Sequence, residues 1–130
     1  MKLLFSPLIA AVKTLEEALA EPYTVFMRDA IIQRFEYTYE LAWKLIKRAL
    51  EIEDADAEED MLTKKDLFRK AAEAGLITDP EVWFEYHKAR NLTSHAYDEV
   101  KADQVYAAAQ KFPASVHELL NQLHFKYDTE

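Results

Sequence analysis

The stretch Thr24–Ile52, TVFMRDAIIQRFEYTYELAWKLIKRALEI, decides the architecture. Phe26, Ala30, Ile31, Phe35, Thr38, Tyr39, Ala42, Trp43, Ile46, Ala49 and Leu50 recur at intervals of three and four. That spacing gathers them on one face of an α-helix, because a helix turns once in about 3.6 residues. A helix this long spans a small domain and predicts the spine of a bundle. Phe35, Tyr39 and Trp43 admit a reading as a ladder for stacking bases. Large rings at helical spacing are mostly buried, however, and the three are expected in the core.

The same periodicity extends outward in both directions. Upstream, Ser6 as N-cap with Pro7 at the tolerated first position predicts a helix to about Ala20, burying Leu8, Val12, Leu15 and Leu19 and ended by Pro22. Downstream, Glu51–Asp60 carries seven carboxylates and no base, the composition of a solvated loop. Thr63 with Asp66 three residues on resembles a capping box and opens a short helix that closes at Gly75. Asp79-Pro80 starts another, which runs through Val82, Trp83, Tyr86 and Ala89 into the segment Arg90–Tyr97. A last helical region covers about Ala102 to Phe125, and Pro113 is expected to kink or split it. The fold class is therefore all-α, an up-and-down bundle of four to five helices, with residues 1–130 forming one domain.

Composition narrows the function. With no cysteine, thiol catalysis and thiolate zinc sites are excluded, and a reducing cytoplasm is the natural compartment. No run approaches the roughly 20 apolar residues of a membrane span, and the start lacks a signal-peptide core. A net charge of −8 argues against a general nucleic-acid binder, since non-specific affinity comes from Lys and Arg on phosphates. Outside the acidic run the chain is nearly balanced. Lys44, Lys47 and Arg48 on the long helix, with Lys88 and Arg90 further on, allow a local positive cleft. RNA binding would then be modest, with a shallow salt dependence.

The chemistry concentrates in Arg90-Asn91-Leu92-Thr93-Ser94-His95-Ala96-Tyr97. On a continuous helix Asn91 and His95 lie one turn apart on one face, with Arg90 about 140° from His95. In-line cleavage of RNA needs a base for the 2′-hydroxyl, an acid for the leaving oxygen and cations for the charged phosphorus centre. One chain offers His95 for proton transfer, Arg90 for charge and Asn91 as a polar contact. Two facing copies would supply the full set without a metal. The same residues also have structural readings: Arg90 and His95 complement a helix C-terminus, and Tyr97 packs with its hydroxyl in water. Metal binding by His87, Asn91 and His95 is rejected, because two histidines eight residues apart stand about 12 Å apart along a helix. His117 and His124, two turns apart, fail similarly.

Arg90–Tyr97 resembles the Arg-x4-His-x-Tyr form of the Arg-x4-6-His motif of HEPN domains, with Asn91 as the polar residue after the arginine. Ile32-Gln33-Arg34-Phe35-Glu36-Tyr37-Thr38-Tyr39-Glu40-Leu41-Ala42-Trp43-Lys44 resembles the second helix of the nucleotidyltransferase substrate-binding, HepT-like branch of that superfamily. The likeness covers nearly the whole chain. It implies a homodimer whose Arg-His pairs meet in a cleft, and a separately encoded minimal nucleotidyltransferase, MNT, as partner. It further implies a metal-independent RNase toxin, without cofactor, silenced by adenylylation of Tyr97. His95 would be the general acid/base, Arg90 the phosphate and transition-state cation and Asn91 a second contact. Glu36 or Glu40 would orient Arg90, unless both are solvated helix-face charges. The alternative is a non-catalytic subunit that binds a substrate or nucleotide for the nucleotidyltransferase.

Overall fold

A computed structural model describes residues 3–53 and 63–127. Five α-helices follow in order: α1 Ser6–Leu19, α2 Val25–Glu53, α3 Lys64–Glu73, α4 Pro80–Leu92 and α5 Glu99–Lys126, with a 3-10 turn Thr93–His95 after α4. No strand element occurs among the described residues. α2 and α5 form the long axis; α1 packs on α2, α3 on α4, and α4 on α5. Phe35 and Tyr39 from α2, Phe68 from α3, Trp83 and Tyr86 from α4 and Phe112 from α5 meet in one buried aromatic centre. Phe35 and Tyr39 are core as expected, whereas Trp43 is only partly buried.

Local signals place most helix starts and stops. Thr24 caps α2, its Oγ1 accepting from the Met27 amide at 2.9 Å. Thr63 Oγ1 accepts from the Asp66 amide at 3.1 Å. After α3 the Leu76 amide reaches the Ala71 carbonyl and the Gly75 amide that of Ala72, a double closure that requires the left-handed turn Gly75 supplies at φ 79°. Asp79 caps α4 through the Glu81 amide.

Four expectations need correction. Phe5, not Ser6, is the N-cap of α1, without a side-chain hydrogen bond, because its ring is buried edge-on against His124 at 4.6 Å. The acidic run is not wholly loop: residues 51–53 extend α2, and 54–60 lie outside the described residues. α5 begins at Glu99 rather than Ala102, since Asp98 accepts from both the Val100 and Lys101 amides. Of the kink or split expected at Pro113 the split does not occur, because Val105, Ala109 and Phe112 before the proline and Val116, Leu119 and Leu123 after it bury in the same core. That shared burial outweighs one lost backbone bond.

Phe26, expected on the buried face, is 86 % exposed, while Arg28 is 2 % exposed. Two residues apart on a helix are 200° apart, so only one of them can face inward. Arg28 takes the inner position because α5 brings Glu99 to 2.8 Å and Asp103 to 3.2 Å of its Nη1. Hydrogen bonding to Arg28, together with its charge, holds the Glu99 carboxyl below its ordinary range. A depressed carboxyl contributes stability above its unfolded pKa and loses it as pH falls through the folded one. The denaturation midpoint is expected to stay level from pH 7 to about 5 and to drop below about 4. Glu99→Gln with Asp103→Asn should flatten part of that drop; an unchanged acid slope would show that the clasp does not contribute to it.

Candidate functional site

The motif arginine is held by α2. Arg90 Nε donates to Glu40 Oε2 at 3.0 Å, its Nη2 lies 3.4 Å from Glu36 Oε2, and Nη1 donates to Thr93 Oγ1 at 3.3 Å. Glu36 and Glu40, one turn apart, thus form a fork for one guanidinium, and both contact it rather than standing as solvated charges. All three groups are partly exposed, so the pairs contribute little to stability, and their consequence is a fixed direction for Arg90.

Thr93 changes the geometry of the rest. Its hydroxyl donates to the Arg90 carbonyl at 2.8 Å, and the chain tightens there from α-helix into the 3-10 turn Thr93–His95. α4 therefore ends at Leu92, and the expectation that Asn91 and His95 share one helical face is overturned. Asn91 remains on the last turn of α4, exposed beside Arg90, while His95 sits beyond the break. His95 Nδ1 lies 3.3 Å from the Tyr97 hydroxyl, with the rings edge-on at 5.9 Å. Tyr97 is 83 % exposed, so it is not a packing residue.

The other histidines have structural partners. His87 Nδ1 lies 2.9 Å from the Tyr39 hydroxyl, His117 Nε2 lies 3.2 Å from Glu16, and His124 packs on Phe5. Burial, then the charges of Lys64 and Arg90, push the His87 imidazole below its ordinary range, and burial pushes the Tyr39 phenol up. A protonated phenol donating to a neutral imidazole satisfies both. Only His95, of the four histidines, is bonded to another motif residue while partly open to solvent. Among the described residues no group of three or more His, Asp or Glu side chains could hold a metal ion.

Sequence reasoning missed two supports of this site. Thr93 is one, signalled only by a hydroxyl three residues after Arg90. The Tyr39–His87 pair beneath the arginine is the other, and nothing in the local sequence announces it because 48 positions separate the two.

The all-helical bundle, with an arginine, a histidine and an exposed tyrosine around the break after its fourth helix, is that of a small HEPN-type protein. The chain belongs to the family described as nucleotidyltransferase substrate binding protein like, whose model matches residues 3–125, and to its HepT-like branch. It is 44 % identical over 94 residues to the probable ribonuclease HepT of Haemophilus influenzae, a match covering 71 % of this chain and 64 % of that protein. A solved Haemophilus influenzae structure, described as the fold of a substrate binding domain of a nucleotidyltransferase, superposes with a TM-score of 0.83 at 34 % identity, covering 92 % of this chain and 98 % of that one. A Thermus thermophilus crystal structure gives 0.78 at 30 % identity, covering 89 % and 98 %. Among the described residues no helix is long and apolar enough to cross a membrane.

Proposed function

We propose that this chain is a metal-independent endoribonuclease toxin that acts as a homodimer, paired with a separately encoded minimal nucleotidyltransferase that silences it by adenylylating Tyr97. The observation that carries this reading is the contrast among histidines: three have partners outside the motif, and His95, partly exposed, is the one bonded to the exposed Tyr97, downstream of a fixed arginine. The Haemophilus influenzae relative named a probable ribonuclease, and the structure described as a nucleotidyltransferase's substrate binding domain, support it.

In this mechanism an imidazole removes the proton of an RNA 2′-hydroxyl, whose oxygen attacks the adjacent phosphorus. The bond from phosphorus to the 5′-oxygen breaks, and the leaving oxygen takes a proton from the partner copy's imidazole. The products are a 2′,3′-cyclic phosphate and a 5′-hydroxyl. Arg90 holds charge at the phosphate and Asn91 adds a polar contact. In the silencing step the Tyr97 hydroxyl attacks the α-phosphorus of ATP and pyrophosphate leaves. The new phosphodiester sets a negative charge and a nucleoside beside His95, repelling and blocking substrate.

The test is incubation of the purified chain with RNA in excess chelator, before and after treatment with the nucleotidyltransferase and ATP. Cyclic-phosphate ends, then their loss as the Tyr97 peptide gains the mass of AMP, are expected. Absence of cleavage by the unmodified chain, together with a stable complex and no added mass, would overturn the toxin reading and leave the nucleotide-binding subunit in its place.

A further inference from the structure

Arg90, shared with Glu36 and Glu40, is one cation for one phosphate and cannot hold a polyanion over several nucleotides. Binding of a nucleic acid therefore has to draw on cations elsewhere, and the chain places them on the neighbouring flank. Phe84, His87 and Asn91 follow at three and four along α4, so they share one side of that helix and lead away from Arg90. α3 lies alongside. From it, Lys65 Nζ stands 5.7 Å and Arg69 Cζ 5.3 Å from the centre of the Phe84 ring. Lys64 Nζ sits 3.7 Å over the Trp43 ring of α2. His87, between Phe84 and Asn91 on α4, is held by the Tyr39 hydroxyl of α2 at 2.9 Å.

We infer that this flank, from Asn91 past Phe84 to Trp43, is the track on which a single-stranded RNA lies as it enters the cleavage site. The inference rests on the ribonuclease reading above and adds where and in what form the substrate is held. Phe84 and Trp43 are only partly buried, and each has a ring face covered by a cationic side chain of α3. A nucleobase can take the place of an ammonium over such a face, and the displaced cation is then beside the phosphate of the same nucleotide. Paired bases have no free face to offer, which selects single strands over duplex. The acids that oppose it are Asp66, 3.4 Å from Arg69 in an exposed pair that yields readily to a phosphate, Glu40, which holds Arg90 at 3.0 Å, and Glu81, one turn before Phe84 on α4.

The test uses the full chain, a fluorescent single-stranded oligonucleotide carrying 2′-deoxy substitution to prevent cleavage, and anisotropy over a range of salt. Lys65→Glu with Arg69→Glu is expected to weaken binding more than tenfold and to lower the salt slope by about 1.4, the loss of two phosphate contacts on a single strand. Phe84→Leu, which keeps apolar bulk and loses stacking, should weaken binding about tenfold with the slope unchanged. Thermal unfolding midpoints near wild type confirm that each variant folds. The same charge change at Lys13 and Lys111, on α1 and α5, should have a markedly smaller effect. Equal loss from the control pair, or full RNA affinity in the Lys65 and Arg69 variant, would overturn the track while leaving the ribonuclease reading intact. Loss of nucleotidyltransferase binding with RNA affinity preserved would reassign the strip to an acidic protein surface. Failure of the wild-type chain to bind or cleave RNA would overturn both.

Discussion

Replacing His95 with Ala is expected to lower RNA cleavage by about 10²–10⁴-fold, the range that a positioned acid or base contributes. The side chain is partly exposed beyond the end of α4 and its one bonded neighbour is Tyr97, so its removal leaves no hole in the core and no buried group unpaired. The variant should therefore fold and associate as wild type does, which separates loss of chemistry from loss of structure. The contrast with His87 sharpens the experiment. His87→Ala removes the partner of a buried phenol and should reduce stability instead, at a cost of about 1–3 kcal/mol for the group left unsatisfied. Initial cleavage rates with sedimentation of both variants would check the pair. A His95→Ala protein that cleaves RNA at the wild-type rate would sink the nuclease reading.

The fold was legible wherever the determinants are local. The periodicity of α2, the Gly75 closure and the Asp79-Pro80 start each act within a few residues, and each appears where the sequence places it. Errors fall where distant contacts compete with local ones. Phe5, packed on His124, takes the N-cap position expected of Ser6, and Arg28 displaces Phe26 from the inner face because its partners lie 71 and 75 positions away. Glu99 and Asp103, four apart on one helix, were the available hint that a buried cation needed two acids.

The candidate site divides along the same line. Its residue types could be read from Arg90–Tyr97, but its geometry could not, because one hydroxyl decides it. Thr93 bonds back to the Arg90 carbonyl and converts a helix face into a helix end. That break moves His95 out of register with Asn91 and toward Tyr97. It also places His95 and Tyr97 together on a short turn, while Arg90 stays on a helix braced by Glu36 and Glu40. Under the proposed function, modification of Tyr97 would act on the histidine directly and leave Arg90 in place.

The largest loss of stability is expected from Phe112→Ala. Phe112 is fully buried in α5, and its ring meets Phe35 at 5.2 Å, Trp83 at 5.5 Å, Tyr86 at 4.7 Å and Tyr39 at 6.3 Å, so one side chain joins α2, α4 and α5. Truncating a buried Phe to Ala costs about 3–5 kcal/mol through lost burial and the cavity that remains. Native domains hold only about 5–15 kcal/mol in total, so the folded population should become marginal. The melting midpoint is expected to drop on the order of 10–20 °C. The loss should also reach the site. Tyr39 packs on Phe112 and carries the hydroxyl bonded to His87, one turn from Arg90, so cleavage by the residual folded protein should fall as this shelf loosens. Phe112→Leu, which refills most of the volume, should recover most of the stability. An alanine variant that melts within about 3 °C of wild type would show that α2, α4 and α5 are not held together through this ring.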